Sequence, residues 1–123
     1  MKLHQDLPAG QYVVTSIGDG YIAINGQRHA TSLLLLPHRL EPGWGAAGFD
    51  ALQEDDFAQI VTLGCEVLLF GTGRRQRFPH PALTRCLTEA RIGLEVMDTP
   101  AACRTYNILV AEGRKVVAAL LIG

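Results

Sequence analysis

Three stretches of the chain, Leu33–Leu36, Val67–Phe70 and Val116–Ile122, are apolar at every position. A strand with one wet face alternates apolar and polar side chains, whereas an uninterrupted run is covered on both faces. Such a chain must therefore stack other elements on both sides of a sheet. The intervening segments supply them. Asp50 is the predicted cap of a first helix running to about Leu63, with Leu52, Phe57, Ile60 and Val61 near one face. Its early acids Glu54, Asp55 and Asp56 suit the positive end of the helix dipole, and Gly64 suits its end. Pro81 opens a second helix, in which Leu83, Cys86, Leu87 and Ala90 recur at helical spacing before Gly93 ends it. Thr99 is the expected N-cap of a third helix, with Pro100 behind it at the first helical position and Gly113 closing it. Ala102, Tyr106, Leu109 and Val110 line one of its faces. With strands at Glu66–Phe70, Leu94–Met97 and Val116–Ile122, this order predicts an α/β fold with a largely parallel sheet and helices on its faces.

The N-terminal part reads differently. Residues 12–36 are predicted to form an antiparallel β-meander. Tyr12–Ile17 is β-branched and aromatic, Gly18-Asp19-Gly20 supplies a turn, and Tyr21–Ile24 follows. Asn25-Gly26 is a strong hairpin signal, because both residues tolerate the positive φ of a type I′ turn. The return strand runs from Gln27 to Leu36, where Pro37 stops it. Residues 37–50 form a Gly/Pro-rich loop around Trp44, which is either an exposed interface aromatic or a lid on the core.

A length of 123 residues fits a single domain over residues 1–123. The formal net charge of −1 lacks the basic excess through which nucleic-acid-binding domains neutralise phosphates. Cys65, Cys86 and Cys103 are too few and too widely spaced for a disulfide framework or a zinc site, and no metal is expected. The start MKLHQDLPAG has charge and a proline where a signal peptide needs an apolar run, and no stretch approaches the ~20 apolar residues of a membrane span. The expectation is a cytoplasmic protein, monomeric or weakly dimeric.

Two segments offer chemistry. Gly71-Thr72-Gly73-Arg74-Arg75-Gln76-Arg77 follows a buried strand, and ligands of open α/β sheets collect beyond the carboxyl ends of strands. Its glycines let backbone N–H groups face an anion, and Arg74, Arg75 and Arg77 add charged donors. It lacks the third glycine of a dinucleotide fingerprint and the Lys of a P-loop, so a tight turn with solvated arginines explains the same residues. The second segment begins at Thr99, where a helix N-terminus on the same edge would present free N–H groups. Cys103 in its first turn is either a buried structural thiol or a nucleophile, the latter needing a base such as His80. Arg104 and Asn107 either reach the same edge or pair with surface neighbours. Adjacent acids such as Glu54–Asp56 point in different directions on a helix, His4, His29 and His38 have no spaced partner, and Ser16 and Ser32 sit inside strand patterns. No catalytic constellation emerges.

GTGRRQR after a strand, the block Thr99–Asn107 (TPAACRTYN), the Glu112-Gly113-Arg114 ending and the Tyr21–Gly26 hairpin together resemble the Mth938-like family, over residues 11 to 122. The resemblance implies a three-layer α/β fold whose central sheet is mixed. Bacterial members are mostly of unknown function, and eukaryotic relatives include a mitochondrial assembly factor for respiratory complex I and a protein linked to adipogenesis. The family brings no catalytic residue and no cofactor to carry over. The expected function is accordingly a non-catalytic binding or assembly role with a protein partner, through the Trp44 loop and the Gly71–Arg77 edge. The alternative is a small-molecule anion binder or enzyme that uses that edge with the Thr99 helix start.

Overall fold

The computed structural model of the protein describes residues 10–123. His4 and most of the stretch weighed against a signal peptide lie outside the described residues. β1 (Val14–Gly18), β2 (Tyr21–Ile24) and β3 (Gln27–His29) form a three-stranded antiparallel sheet in that order. Asn25 and Gly26 have φ of 50° and 85°, the positive values that the expected β2–β3 turn needs. The meander does not continue to Leu36. It ends at His29, and β4 (Leu33–Leu36) enters a second sheet. The three-stranded sheet has one side to offer the core, and four successive leucines need burial on two.

The second sheet has the order β5-β4-β8-β6-β7. β6 (Val67–Gly71), β7 (Gly93–Met97) and β8 (Val116–Leu120) are parallel, while β4 runs antiparallel to both β8 and β5 (Arg39–Pro42). The sheet is therefore mixed, and only its last three strands in chain order match the parallel order expected from the strand–helix alternation. β5 was hidden within the predicted 37–50 loop. Its charged Arg39 and Glu41 and its Pro42 suit an outermost strand, where they discourage pairing with other chains.

The pleat of the central strands divides the core. Leu33, Leu35, Val67, Leu69, Ala118 and Leu120 face α3 (Thr99–Ala111) and the small sheet. Their neighbours Leu34, Leu68, Phe70, Val117 and Ala119 face α1 (Glu54–Val61), α2 (Pro81–Glu89) and the 43–52 segment. This is the three-layer α/β arrangement. The chain moves from β6 to β7 through α2, then back past β6 to β8 through α3. Right-handed crossovers in opposite directions place the two helices on opposite faces.

Helix ends depart from the predicted ones by a few residues. Gln53 caps α1 in a reciprocal box, its N–H donating to Asp56 Oδ2 at 2.8 Å, while Asp50 lies in a separate 3₁₀ turn, Phe49–Ala51. α2 ends with Arg91 at φ 61°, which frees Gly93 to pair with Val67 in β7. Asp98, not Thr99, caps α3, its Oδ1 accepting from the Ala101 N–H at 2.8 Å. Trp44 is a lid: 7% exposed, it donates from Nε1 to the Asp56 carbonyl at 3.0 Å and meets Phe57 and Phe70 edge-on. It is not available as an interface aromatic. Among the described residues no helix is long and apolar enough to cross a membrane.

Candidate functional site

The three parallel strands end together at Gly71, Met97 and Leu120, and the two segments singled out from the sequence meet there. Thr99 N–H donates to the Gly73 carbonyl at 2.8 Å, and the Gly73 N–H donates back to Thr99 Oγ1 at 2.8 Å. Thr99 Oγ1 in turn donates to the Leu121 carbonyl at 2.7 Å. The glycines serve this close approach. A Cβ on Gly71 would lie 3.0 Å from Thr99 Cα, and one on Gly73, at φ 99°, would lie 2.9 Å from the Gly123 backbone.

The same bonds use up the backbone donors expected to face an anion. In the first turn of α3, Thr99 N–H goes to Gly73, Pro100 has none, Ala101 N–H goes to the Asp98 carboxylate and Ala102 N–H to the Asp98 carbonyl. A helix N-terminus binds anions through free N–H groups, and here they are taken. Within the loop, the buried Thr72 hydroxyl donates to the Arg75 carbonyl at 2.7 Å and accepts from the Arg77 N–H at 3.0 Å. Arg77 is a brace: it donates to the Thr72 carbonyl at 2.8 Å and lies 4.5 Å over the Phe49 ring. Gln76 Nε2 caps the Val96 carbonyl on β7 at 2.8 Å. The side-chain charge open to a ligand here comes from the exposed Arg74, Arg75 and Arg104.

Two other candidates lie inside the core and do not reach the edge. Asn107 is 2% exposed and clamps the backbone of Val14, accepting from its N–H at 3.0 Å and donating to its carbonyl at 2.8 Å. Cys103 is fully buried, and burial pushes its thiol up to about 12. His80, the base considered for it, is occupied at the start of α2, its Nδ1 accepting from the Ala82 N–H at 3.0 Å. Cys103 is thus a core thiol. At neutral pH, iodoacetamide is expected to modify it only as fast as the protein unfolds, so mass spectrometry should show the more exposed Cys65 and Cys86 labelled first. The folded state holds this proton more tightly than the unfolded chain does. Stability should accordingly be level below the ordinary thiol range and fall as pH rises through it toward about 12. Burial of the Tyr106 phenol raises its pKa also and adds to the same alkaline loss.

Sequence reasoning missed the second wall of this site. The β1–β2 hairpin, read as part of the meander with no role at the site, stands opposite the sheet edge and encloses a cleft of about 430 Å³. Ile17, Tyr21 and Ile22 face Pro100, Leu121 and Ile122 across it, with Asp19, Arg74 and Arg104 also contributing to its lining. The Tyr21 ring is held in place, with the Arg28 guanidinium 4.2 Å over its face. A Cβ on Gly18 would sit 2.2 Å from that ring, so a larger residue there would push the ring out of its place.

A family model described as a protein of unknown function (DUF498/DUF598) matches residues 14–121. Over 121 residues the chain is 31% identical to NADH dehydrogenase (ubiquinone) 1 alpha subcomplex assembly factor 3 of Bos taurus, covering 97% of this chain and 65% of that protein. The chain thus spans about 65% of the length of that curated relative. A crystal structure of a Bordetella parapertussis protein superposes with a TM-score of 0.85 at 43% identity, over 93% of this chain and 98% of that one. The solution structure of a Mth938-like domain from Bordetella pertussis superposes with a TM-score of 0.82 at 36% identity, over 98% and 92% of the two chains. Matched in sequence from the first strand to just past the last, and in fold by these structures, the chain belongs to the DUF498/DUF598 family of Mth938-like domains.

Proposed function

We propose that the protein is a single-domain, non-catalytic assembly factor that docks a partner protein at the carboxyl edge of its parallel strands. The observation that carries this reading is the similarity over 97% of the chain to proteins named NADH dehydrogenase assembly factors. The chemistry of the edge agrees with it. Thr72 and Thr99 have their hydroxyls in backbone bonds, and Cys103 is buried, which leaves the edge without an activated nucleophile. In contrast, the loop that follows β6 puts out Arg75 and then Phe78, which is 71% exposed. Aromatic and arginine side chains are the usual anchors of protein interfaces. The partner is a protein of an NADH dehydrogenase complex during its assembly, met in the cytoplasm.

A photo-crosslinking residue placed at Phe78 in the native host tests the reading. The expected result is one reproducible crosslinked protein belonging to that complex, lost when Arg75→Glu reverses the charge beside it. Deletion of the gene should also lower the assembled NADH dehydrogenase. A normal level of the complex in the deletion strain, with no crosslinked partner, would remove the proposal.

A further inference from the structure

The cleft between the β1–β2 hairpin and the sheet edge is separate from the Phe78 surface and has a chemistry of its own. Its volume of about 430 Å³ falls in the range of small-molecule sites, and it lies where two layers meet, a usual place for such sites. Its inner walls are aliphatic and aromatic: Ile17, Tyr21, Pro100 and Ile122. Two guanidinium groups, Arg74 and Arg104, stand at it, and the acidic side chain that lines it with them is Asp19. The ion pair between Arg74 and Asp19 is 3.5 Å long, with side chains 76% and 98% exposed. Pairs of that kind hold weakly, so Arg74 can exchange Asp19 for a ligand. Arg104 makes no ion pair among the described residues. With the backbone N–H groups of Gly73 and of the first turn of α3 committed, these two forks are the charged donors the cleft offers an anion. A guanidinium fork matches the paired oxygens of a carboxylate or phosphate. The Tyr21 wall is braced by Arg28, and Gly18, with no Cβ, leaves the ring its place, so the cleft exists without a ligand.

We infer that this cleft binds a small amphipathic anion, with its oxyanion headgroup on Arg74 and Arg104 and its apolar body between the hairpin and Pro100. The shared chemistry is a carboxylate or phosphate on an aliphatic chain, and the headgroups are separated by experiment. Octanoate and octyl phosphate are titrated calorimetrically into the intact protein, beside octanol and inorganic phosphate, which each carry one half of the chemistry. At least one amphipathic anion should bind saturably with a single site, and both halves alone should bind at least tenfold more weakly. Arg104→Gln and Arg74→Gln should each weaken binding by roughly ten- to a hundredfold, the size of a lost charge-assisted hydrogen bond. Arg85→Gln, on α2 away from the cleft, should leave it unchanged. Amide shifts on titration should centre on Ile17, Tyr21 and Ile122. No saturable binding by either compound, octanol binding as tightly as octanoate, equal affinity in the arginine variants, or shifts centred elsewhere would each overturn the inference. None of these outcomes bears on the partner crosslinked at Phe78, so the two proposals fail separately.

Discussion

Phe70→Ala is expected to lower stability by about 3–5 kcal/mol, the usual cost of truncating a buried Phe and leaving part of its volume empty. Phe70 has no exposure and lies on β6, the strand between β8 and β7. Its ring meets Phe57 at 5.5 Å and Trp44 at 5.9 Å edge-on, and lies parallel to Phe49 at 6.2 Å. This cluster fastens the 43–52 segment over the sheet. It also reaches the candidate site, because Arg77 rests on Phe49 and braces the loop that carries Arg74 and Arg75. Domains are stable by only about 5–15 kcal/mol, so the urea midpoint should fall by about a fifth or more. Phe70→Leu should lose much less, about 1.5 kcal/mol, because most of the volume stays filled. A loss below about 1 kcal/mol on truncation to Ala would mean that the four rings do not pack as described.

Asn107→Ala should cost about 2–4 kcal/mol for a different reason. The amide satisfies both backbone groups of Val14 inside the core. Truncation strands a buried N–H and a buried C=O together, and each costs about 1–3 kcal/mol when left unpaired. The melting temperature should fall by roughly 10 °C, at about 3–5 °C per kcal/mol for a chain of this size. The loss should be uneven. Hydrogen exchange at Ile22 and Ile24 in the small sheet should accelerate more than at Leu68 and Leu69 in β6. The neighbouring bond from the Tyr106 hydroxyl to the Tyr12 carbonyl, 2.9 Å, still holds one end of the sheet, so the sheet loosens without detaching. Asn107→Asp keeps an acceptor for the Val14 N–H, and can donate to the Val14 carbonyl only when protonated. A carboxyl there is neutral when folded and charged when unfolded near neutral pH, so this variant should regain stability as pH is lowered. Uniform exchange across both sheets would show that Asn107 is not the tie between them.

The features legible in the sequence are those whose physics is local. Asn25-Gly26 turns the chain as read, because positive φ at two adjacent residues is a property of those residues. Pro81 starts α2 and the apolar runs at Leu33, Val67 and Val116 become strands buried on both faces, because fixed φ and uninterrupted hydrophobicity leave few other options. The boundaries were less legible where two neighbours compete for one role. Asp98 and Thr99 are both good caps, and Thr99 is drawn off by Gly73 and Leu121, segments more than twenty residues away. Gln53 prevails over Asp50 because Asp56 completes its box.

For the candidate site, the sequence by itself determined that a glycine-and-arginine loop and a helix start follow successive strands, which share one edge only if those strands are parallel, and the structure pairs them so. It also determined that the core is layered. The tertiary structure alone decided that Leu33–Leu36 leaves the meander for the central sheet, that Cys103 and Asn107 are buried, and that the N–H groups of Gly73 and of the first turn of α3 are taken by neighbouring segments. It also decided that the Gly18–Tyr21 hairpin stands across from that edge and makes it a cleft. The reason is common to all four: which partner satisfies a polar group, and which face a side chain presents, depends on segments that approach from far along the chain, and no pattern within a few residues encodes that approach.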